Sequence, residues 1–220
     1  SHTLREEFDI ILTTSSIVEI LMGSGVLQEI DYSRIPNAKN ISADFKALKY
    51  DPENKFTYPV LWGVNGILYK KSKYKKSPRK LEDFLGKGTK KGSLSLLSSP
   101  LEIYSFLHKQ KLLAESWLET EQTEKTLKIV ENLFSKIHLR KSFRSKEFLT
   151  DESLWALQTS NGSAHSFMEN SQDLKFILPK ESATFWVASF ALPKSSTAID
   201  EAYSFLDFLS LAQNAELLAQ

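Results

Sequence analysis

Short apolar runs of strand length alternate along the chain with longer stretches in which apolar residues recur every three or four positions. Runs such as 93–97 and 184–192 are apolar segments bounded by glycine, proline or polar residues, which is typical of buried strands. Longer stretches such as 119–135 have the spacing of an amphipathic helix. Strands that alternate with helices in this way predict an α/β fold.

The predicted elements cover most of the chain. Strands are expected at residues 8–12, 56–60, 67–69, 93–97, 153–160, 174–178 and 184–192. Helices are expected at residues 17–22, 77–86, 100–113, 119–135, 161–169 and 198–211, and a last helix is expected from residue 212.

Three local signals support these boundaries. The polar residues 13–16 supply a helix N-cap, and Ser77 followed by Pro78 is a favourable helix start. Residues 63–66 (Gly-Val-Asn-Gly) are expected to separate two strands. Ile137 continues the helical spacing of the apolar positions in 119–135.

Composition narrows the class of protein. The 220 residues suffice for one large domain or two small ones, and 41% of them are hydrophobic, enough for a sizeable core. A formal net charge of +1 argues against a chain built throughout to bind nucleic acid. The absence of cysteine excludes disulfides, thiol catalysis and cysteine-ligated metals. No apolar window is long enough to span a membrane.

The charge is unevenly distributed, because residues 70–91 hold ten basic and only two acidic side chains. Such a run can contact phosphates, anionic lipid headgroups or an acidic partner. It also suits a solubilising loop and an exposed helix face, and few aromatic residues are interleaved with it.

Motifs that carry chemistry are scarce. There is no Gly-rich dinucleotide turn, phosphate loop, His-Glu-x-x-His or Gly-x-Ser-x-Gly segment. No two of the four histidines share a helix face as metal ligands. We therefore expect no catalytic residues, no metal and no cofactor, and a binding protein rather than an enzyme. A small enzyme that uses Glu102 or His165 as acid or base is the remaining enzymatic hypothesis.

Two tryptophans lie on extended segments next to small residues. Trp62 precedes Gly63, and Trp186 lies within the apolar run 184–192. Each is compatible with the wall of a ligand pocket and with a place in the core.

An ordered set of segments resembles the polyamine-binding group of bacterial extracellular solute-binding proteins, the spermidine/putrescine receptors of ABC importers. The most specific segment is 58–67 (Tyr-Pro-Val-Leu-Trp-Gly-Val-Asn-Gly-Ile). The others are residues 8–11, 25–31, 91–94, 161–164, 177–181, 184–186 and 202–206. Order and spacing are kept over nearly the whole chain, with the first strands and the last helices of the family missing, so the chain resembles a divergent and truncated member.

The resemblance implies a type II periplasmic-binding-protein-like fold, in which two α/β lobes are joined by crossing strands. Lobe one would comprise residues 1–68 with 187–220, and lobe two residues 69–186. A small solute, a polyamine or a related compound, would bind in the cleft between the lobes. The closed receptor would then dock on an ABC permease, in the bacterial periplasm or elsewhere outside the cytoplasm.

Carrying the family's ligand positions over residue by residue gives six candidate ligand-binding residues: Thr14, Ser16, Ser99, Glu102, Ser160 and Trp186. Glu102 matches a family carboxylate and Trp186 a family aromatic residue. Ser99 and Ala188 stand where the family has acids, and Ser160 stands where a tryptophan is common. This set hints at an amino-acid-like or otherwise less cationic ligand.

A different role is also compatible with the sequence. A receptor fold that no longer binds solute would act as an interaction module and dock a partner through the basic segment 70–91.

Overall fold

A computed structural model describes residues 8–85, 89–98, 103, 108, 124, 127–128, 131, 133–140, 145–179 and 183–218. The predicted helices 100–113 and 119–135 lie mostly outside these residues. The chain divides into two compact units, which we call unit 1 (Ser1–Trp62 with Trp186–Gln220) and unit 2 (Gly63–Phe185). The predicted division into lobes at residues 68 and 187 stays a prediction.

Unit 1 is built around a long strand that arrives late in the sequence. Its elements are β1 (Ile11–Thr14), α1 (Ser15–Gly23), β2 (Leu27–Gln28), the first part of β3 (Tyr58–Lys70), most of the strand Thr184–Pro193, and the helices Ile199–Leu209 and Ala212–Leu218. Short 3₁₀ turns lie at Tyr32–Arg34, Pro36–Asn40 and Ala43–Phe45. The strand Thr184–Pro193 pairs antiparallel with both β1 and β2.

The core of unit 1 joins residues that are far apart in the sequence. Tyr58 and Ile35 pack with Leu192 and with Leu206, which faces inward from the helix Ile199–Leu209. All four side chains are almost completely buried, so the late segment supplies much of the apolar area that stabilises this unit.

Unit 2 contains the rest of β3 and the elements that follow it. These are α2 (Glu82–Leu85), β4 (Leu94–Leu97), β5 (Ile137–Arg140), α3 (Ser145–Thr150), β6 (Ala156–Ser160), α4 (Asn161–Glu169) and β7 (Leu174–Ile177). In chain order, Thr184–Pro193 is then β8, Ile199–Leu209 is α5 and Ala212–Leu218 is α6. Strand β3 pairs antiparallel with β6 and β7, whereas β4 lies parallel to β5 and β6.

The sheet of unit 2 is covered by apolar side chains on both faces. One cluster includes Ile67, Tyr69 and Phe84, and the other includes Leu68, Phe148 and Phe167. Consecutive residues of β3 therefore contribute to different clusters, as the alternation of side chains along a strand requires. Strands and helices in both units confirm the predicted α/β class.

The expected break of strand at residues 63–66 is wrong, because β3 runs without interruption from Tyr58 to Lys70. Gly66 serves a close approach instead of a turn. A Cβ atom there would meet the carbonyl oxygen of Ile177, the ring of Phe176 and the side chain of Leu178. The glycine lets β3 pass close to β7 at this point.

Other boundaries also differ from the sequence expectations. Strand β1 begins at Ile11, three residues later than expected, and α2 begins at Glu82 instead of near Ser77. The Asp83 carboxylate accepts hydrogen bonds from the N–H groups of Arg79 and Lys80, which holds the preceding segment in a turn. Ile137 opens β5 and does not extend a helix.

No helix in the described part of the chain combines the length and the apolar character needed to cross a lipid bilayer.

Candidate functional site

Thr14 lies in unit 1, where β1 passes directly into α1. It occupies the N-cap position in an extended conformation, with φ −98° and ψ 159°, but its side chain makes no capping hydrogen bond. The first turn of α1 contains no acidic residue, and Ser16 is the second residue of the helix. The N–H groups of this turn therefore have neither a Thr14 cap nor a local carboxylate, an arrangement that favours a polar or anionic group.

Trp186 is brought to the same part of unit 1 by the pairing of β1 with β8. Thr14 stands opposite Ala188 in the register, and Trp186 lies two residues from Ala188 on β8. Side chains two residues apart in a strand share a face, so the indole, the Ala188 methyl group and the Thr14 position belong to one surface. The Trp186 side chain is partly buried.

Tyr50 and Ser189 meet on the opposite face of β8 and were not predicted from the sequence. The Tyr50 hydroxyl lies 3.3 Å from Oγ of Ser189, which is completely buried beside Ala188. Burial raises the pKa of Tyr50, so its hydroxyl keeps its proton at neutral pH. No sequence signal pointed to this pair, because Tyr50 lies in a loop whose position depends on contacts with distant residues.

Ser160 is the last residue of β6 in unit 2 and the N-cap of α4. Its Oγ accepts a hydrogen bond from Ser163 N at 3.2 Å and donates one to Ser163 Oγ at 3.1 Å. The family resemblance assigns Ser160 to a ligand position, but its hydroxyl is engaged in this helix cap. Ser160 therefore has a clear role in ending the strand and starting the helix.

Two asparagines stand beside Ser160 and were missed from the sequence. Asn65 faces Ser160 in the register of β3 and β6 and is buried, and the Asn161 side-chain oxygen accepts a hydrogen bond from Val64 N at 3.0 Å. The signal was available in principle, since Asn65 is the one polar side chain in segment 63–66. The two glycines of this segment predict a break in the strand, and a break would not place Asn65 opposite Ser160.

Ser99 and Glu102 lie outside the described residues. The described candidates, Thr14, Ser160 and Trp186, thus offer hydroxyl groups and an indole but no carboxylate. Of the residues considered for catalysis, His165 lies on an exposed part of α4, with Nε2 3.6 Å from Glu169. Within the described part of the chain, no three His, Cys, Asp or Glu residues are placed to hold a metal ion.

A cavity of about 230 Å³ lies elsewhere in unit 1. Its wall includes Trp62 and Phe45, whose ring centroids are 6.4 Å apart, together with Tyr58 and Leu209. Trp62 is 53% exposed, so it is not a core tryptophan. Among the candidates that the structure describes, Thr14, Ser160 and Trp186 do not contribute to this wall.

Comparison with known proteins identifies the relatives of this chain. The model of a family described as "Bacterial extracellular solute-binding protein" matches residues 5–220. The putrescine-binding periplasmic protein PotF of Escherichia coli is 28% identical over an alignment of 230 positions. The alignment covers 92% of this chain and 60% of the relative. A putrescine/agmatine-binding protein of Pseudomonas aeruginosa is 26% identical, with 93% and 61% covered.

Solved structures show the same fold. A putative spermidine/putrescine ABC transporter protein from Listeria monocytogenes aligns with a TM-score of 0.84 and 21% identity, covering 96% of this chain and 65% of that one. The spermidine/putrescine substrate-binding protein PotD of Streptococcus pneumoniae aligns with a TM-score of 0.73 and 24% identity, with the same coverage.

These matches confirm the resemblance drawn from the sequence and the periplasmic-binding-protein type of fold. They give no support to the alternative of an interaction module that has lost solute binding. The chain spans about 60% of the length of the curated relatives it matches.

Proposed function

The chain belongs to the bacterial extracellular solute-binding protein family, and on that premise we propose that it is the solute-binding component of an ABC import system. Membership of this family places the protein outside the cytoplasm. The proposed role is to bind a small solute without chemical change and to deliver it to a permease. Units 1 and 2 would be the two lobes of the receptor.

The proposed ligand is a small amine, a polyamine or a related compound. The names of the relatives from Escherichia coli and Pseudomonas aeruginosa support this class, since both bind putrescine. Trp186 would contact the amine through its indole face, because aromatic rings attract ammonium groups. Glu102 would supply the carboxylate that a desolvated ammonium group needs.

The observation that carries this proposal is the surface at the end of β1. Thr14 is opposite Ala188, Trp186 is on the same strand, and the first turn of α1 carries no acid. Ser16, Ser99 and Ser160 would complete the set of polar contacts around the ligand. The six candidate residues include one acid, Glu102, which limits the number of ammonium groups that they can compensate.

This limit favours one particular variant of the proposal. A ligand with one ammonium group and one polar or anionic group would match the charge of Glu102 and the preference of the uncapped turn of α1 for an anion. An amino acid or a monoamine fits this description better than spermidine, which carries three cationic groups.

Isothermal titration calorimetry with putrescine, spermidine and a panel of amino acids tests both forms of the proposal. Trp186→Ala should weaken binding at least about fivefold, the equivalent of a cation–π contact of about 1 kcal/mol. Trp62→Ala is the matched control, because Trp62 lies in the same unit and outside the proposed site, and it should bind as tightly as the original protein.

The outcomes separate the alternatives. Spermidine affinity in the micromolar range would overturn the less cationic variant and retain the polyamine class. Equal losses in both tryptophan variants would overturn the placement of the site. Absence of heat with every amine and amino acid would overturn the proposed ligand class.

A further inference from the structure

The two ends of the basic segment 70–91 meet at one end of the sheet in unit 2. Strand β3 ends here at Lys70, and strands β4 and β6 begin here. Lys70 N donates a hydrogen bond to Trp155 O at 2.9 Å, and Trp155 N donates one to Ser93 O at 2.8 Å, so the three strand ends are neighbours. The turns that carry residues 71–76 and 90–91 are therefore neighbours, although the intervening chain leaves the sheet.

A lysine from a distant part of the sequence joins the same end. Gly92 N donates to Lys136 O at 2.7 Å, which places the residue before β5 directly beside Lys90 and Lys91. We call this surface the lysine end. It comprises the exposed residues Lys71, Lys75, Lys76, Lys90, Lys91 and Lys136.

Carboxylates at the lysine end are few and already engaged. Asp173 accepts hydrogen bonds from Ser72 N and Oγ, Asp151 accepts from Ser153 N and Oγ, and Glu152 pairs with Lys73. Within the described part of the chain, no acidic side chain forms an ion pair with any of the six exposed lysines. Because the lysines outnumber these carboxylates, the surface carries a net positive field.

The lysine end also lies away from the candidate ligand residues of unit 2. Tyr69 pairs with Ala156 at the start of β6, whereas Asn65 pairs with Ser160 at its finish. Four residue steps along a strand span about 13 Å. A partner on the lysine end would thus leave Ser160 and Asn65 uncovered.

We propose that the lysine end contacts an anionic lipid bilayer, and that it does so in addition to solute binding. The kind of basic residue decides between a bilayer and an acidic protein. Cores of protein interfaces are enriched in arginine and aromatic residues and depleted of lysine. The six residues of this surface are all lysines, and they lie on three segments of the chain (71–76, 90–91 and 136). Such a spread suits a delocalised array of phosphate headgroups, where each lysine contributes independently.

Vesicle co-sedimentation of the full chain tests this proposal. The protein should bind vesicles of equimolar phosphatidylcholine and phosphatidylglycerol and not vesicles of phosphatidylcholine alone. Binding should be strong near about 0.01 M salt and lost near about 1 M, where the screening length falls from about 30 Å to about 3 Å.

Charge reversal locates the contact. The triple variant Lys75→Glu, Lys76→Glu and Lys91→Glu should lose about a hundredfold or more in vesicle affinity, because each lysine near an anionic surface contributes about 1 kcal/mol. The triple variant Lys39→Glu, Lys46→Glu and Lys49→Glu has the same net charge, since it reverses three exposed lysines of unit 1, and should bind nearly as tightly as the original protein.

Each other outcome would overturn the proposal. Equal losses in the two triple variants would show a response to net charge alone. Binding to soluble polyglutamate without binding to the anionic vesicles would point to an acidic protein partner instead. The melting temperatures of both variants are measured as a control. Values near that of the original protein show that lost binding reflects lost charge and not unfolding.

Discussion

The ammonium group of Lys70 donates a hydrogen bond to the carbonyl oxygen of Asp151 at 2.8 Å. Lys70 is the last residue of β3 and is only 5% exposed, and Asp151 directly follows α3. A cation at the carboxyl end of a helix compensates the carbonyl groups that have no partner within the helix. The contact therefore joins the end of a central strand to a helix that covers the sheet.

Replacing this buried lysine should destabilise unit 2. Lys70→Met keeps most of the side-chain volume but removes the charged donor, so the free energy of unfolding should fall by about 1–3 kcal/mol. Urea denaturation at neutral pH measures the change. Lys71→Met is the control, because Lys71 is exposed, and its effect should stay within about 0.5 kcal/mol. Equal effects of the two substitutions would contradict the role assigned to the Lys70 contact.

A side chain at position 66 should destabilise unit 2. In Gly66→Ala the new methyl group would lie 2.6 Å from Cζ of Phe176 and 2.8 Å from Cδ2 of Leu178, and it would also meet the Ile177 carbonyl oxygen. Because that oxygen belongs to the backbone of a paired strand, relief requires a shift of β7, at a cost of about 1–3 kcal/mol.

The control for this glycine is Gly162→Ala. Gly162 lies in α4 with open space around it, so alanine there should be neutral or stabilising by up to about 1 kcal/mol. Chemical denaturation of both variants gives the comparison. A Gly66→Ala protein as stable as the Gly162→Ala protein would show that β7 moves aside freely.

Asp51 should be essential for the loop that presents Tyr50 to Ser189. Its buried carboxylate accepts hydrogen bonds from the N–H groups of Lys55, Phe56 and Thr57 and from the Thr57 hydroxyl. Asp51→Ala leaves these donors without their acceptor, and the free energy of unfolding should fall by about 3 kcal/mol.

A matched substitution in the same region separates this role from a general effect of charge. Asp44→Ala removes an exposed carboxylate and should change stability by less than about 0.5 kcal/mol. Hydrogen exchange of the Thr57 amide should accelerate in the Asp51 variant alone. Unchanged protection of that amide would refute the assignment.

Asp9 should make the stability of unit 1 depend on acid pH. Hydrogen bonds from the N–H groups of Ala198 and Thr197 and from the Ser196 hydroxyl lower the pKa of this carboxyl below the ordinary value of 3.8. A lowered pKa in the folded state stabilises the fold above the unfolded value, and this stabilisation is lost as pH falls through the folded value.

The measurement compares the pH dependence of two variants. In Asp9→Asn the decline of unfolding free energy below about pH 4 should be shallower than in the original protein. Glu19→Gln, at an exposed position of α1, should leave the decline unchanged. Parallel curves for the Asp9 variant and the original protein would disprove the linkage.

The sequence predicted elements best where the boundary signals are local. Helix α4 begins and ends at the predicted residues, because Ser160 caps it and the capping pattern lies within a few residues. Strand β5 was missed because Ile137 falls by coincidence on the helical spacing of the preceding residues. The continuity of β3 was missed because Gly66 meets a neighbouring strand, and such a contact has no signature in the chain around it.

The site was predictable only in part for the same reason. The resemblance to the family placed Trp186 and Thr14 among the candidates, but the register that sets Thr14 opposite Ala188 joins residues 174 positions apart. Tyr50 reaches Ser189 through a loop that is held by Asp51, and Asn65 faces Ser160 only because β3 is continuous. These relationships depend on tertiary packing, which propensity and spacing do not report.

The order of segments along the chain has a consequence for biosynthesis. Unit 2 is one continuous segment, Gly63–Phe185, so all of it has left the ribosome as soon as Phe185 emerges. Strand β1 must instead wait for β8, since Ile11 pairs with Ala191, and long-range pairing of this kind is slow. Until then β1 has no partner strand beside it, and nascent chains with unpaired strands are prone to aggregation. A segment that is synthesised after unit 2 therefore completes a unit that begins before it.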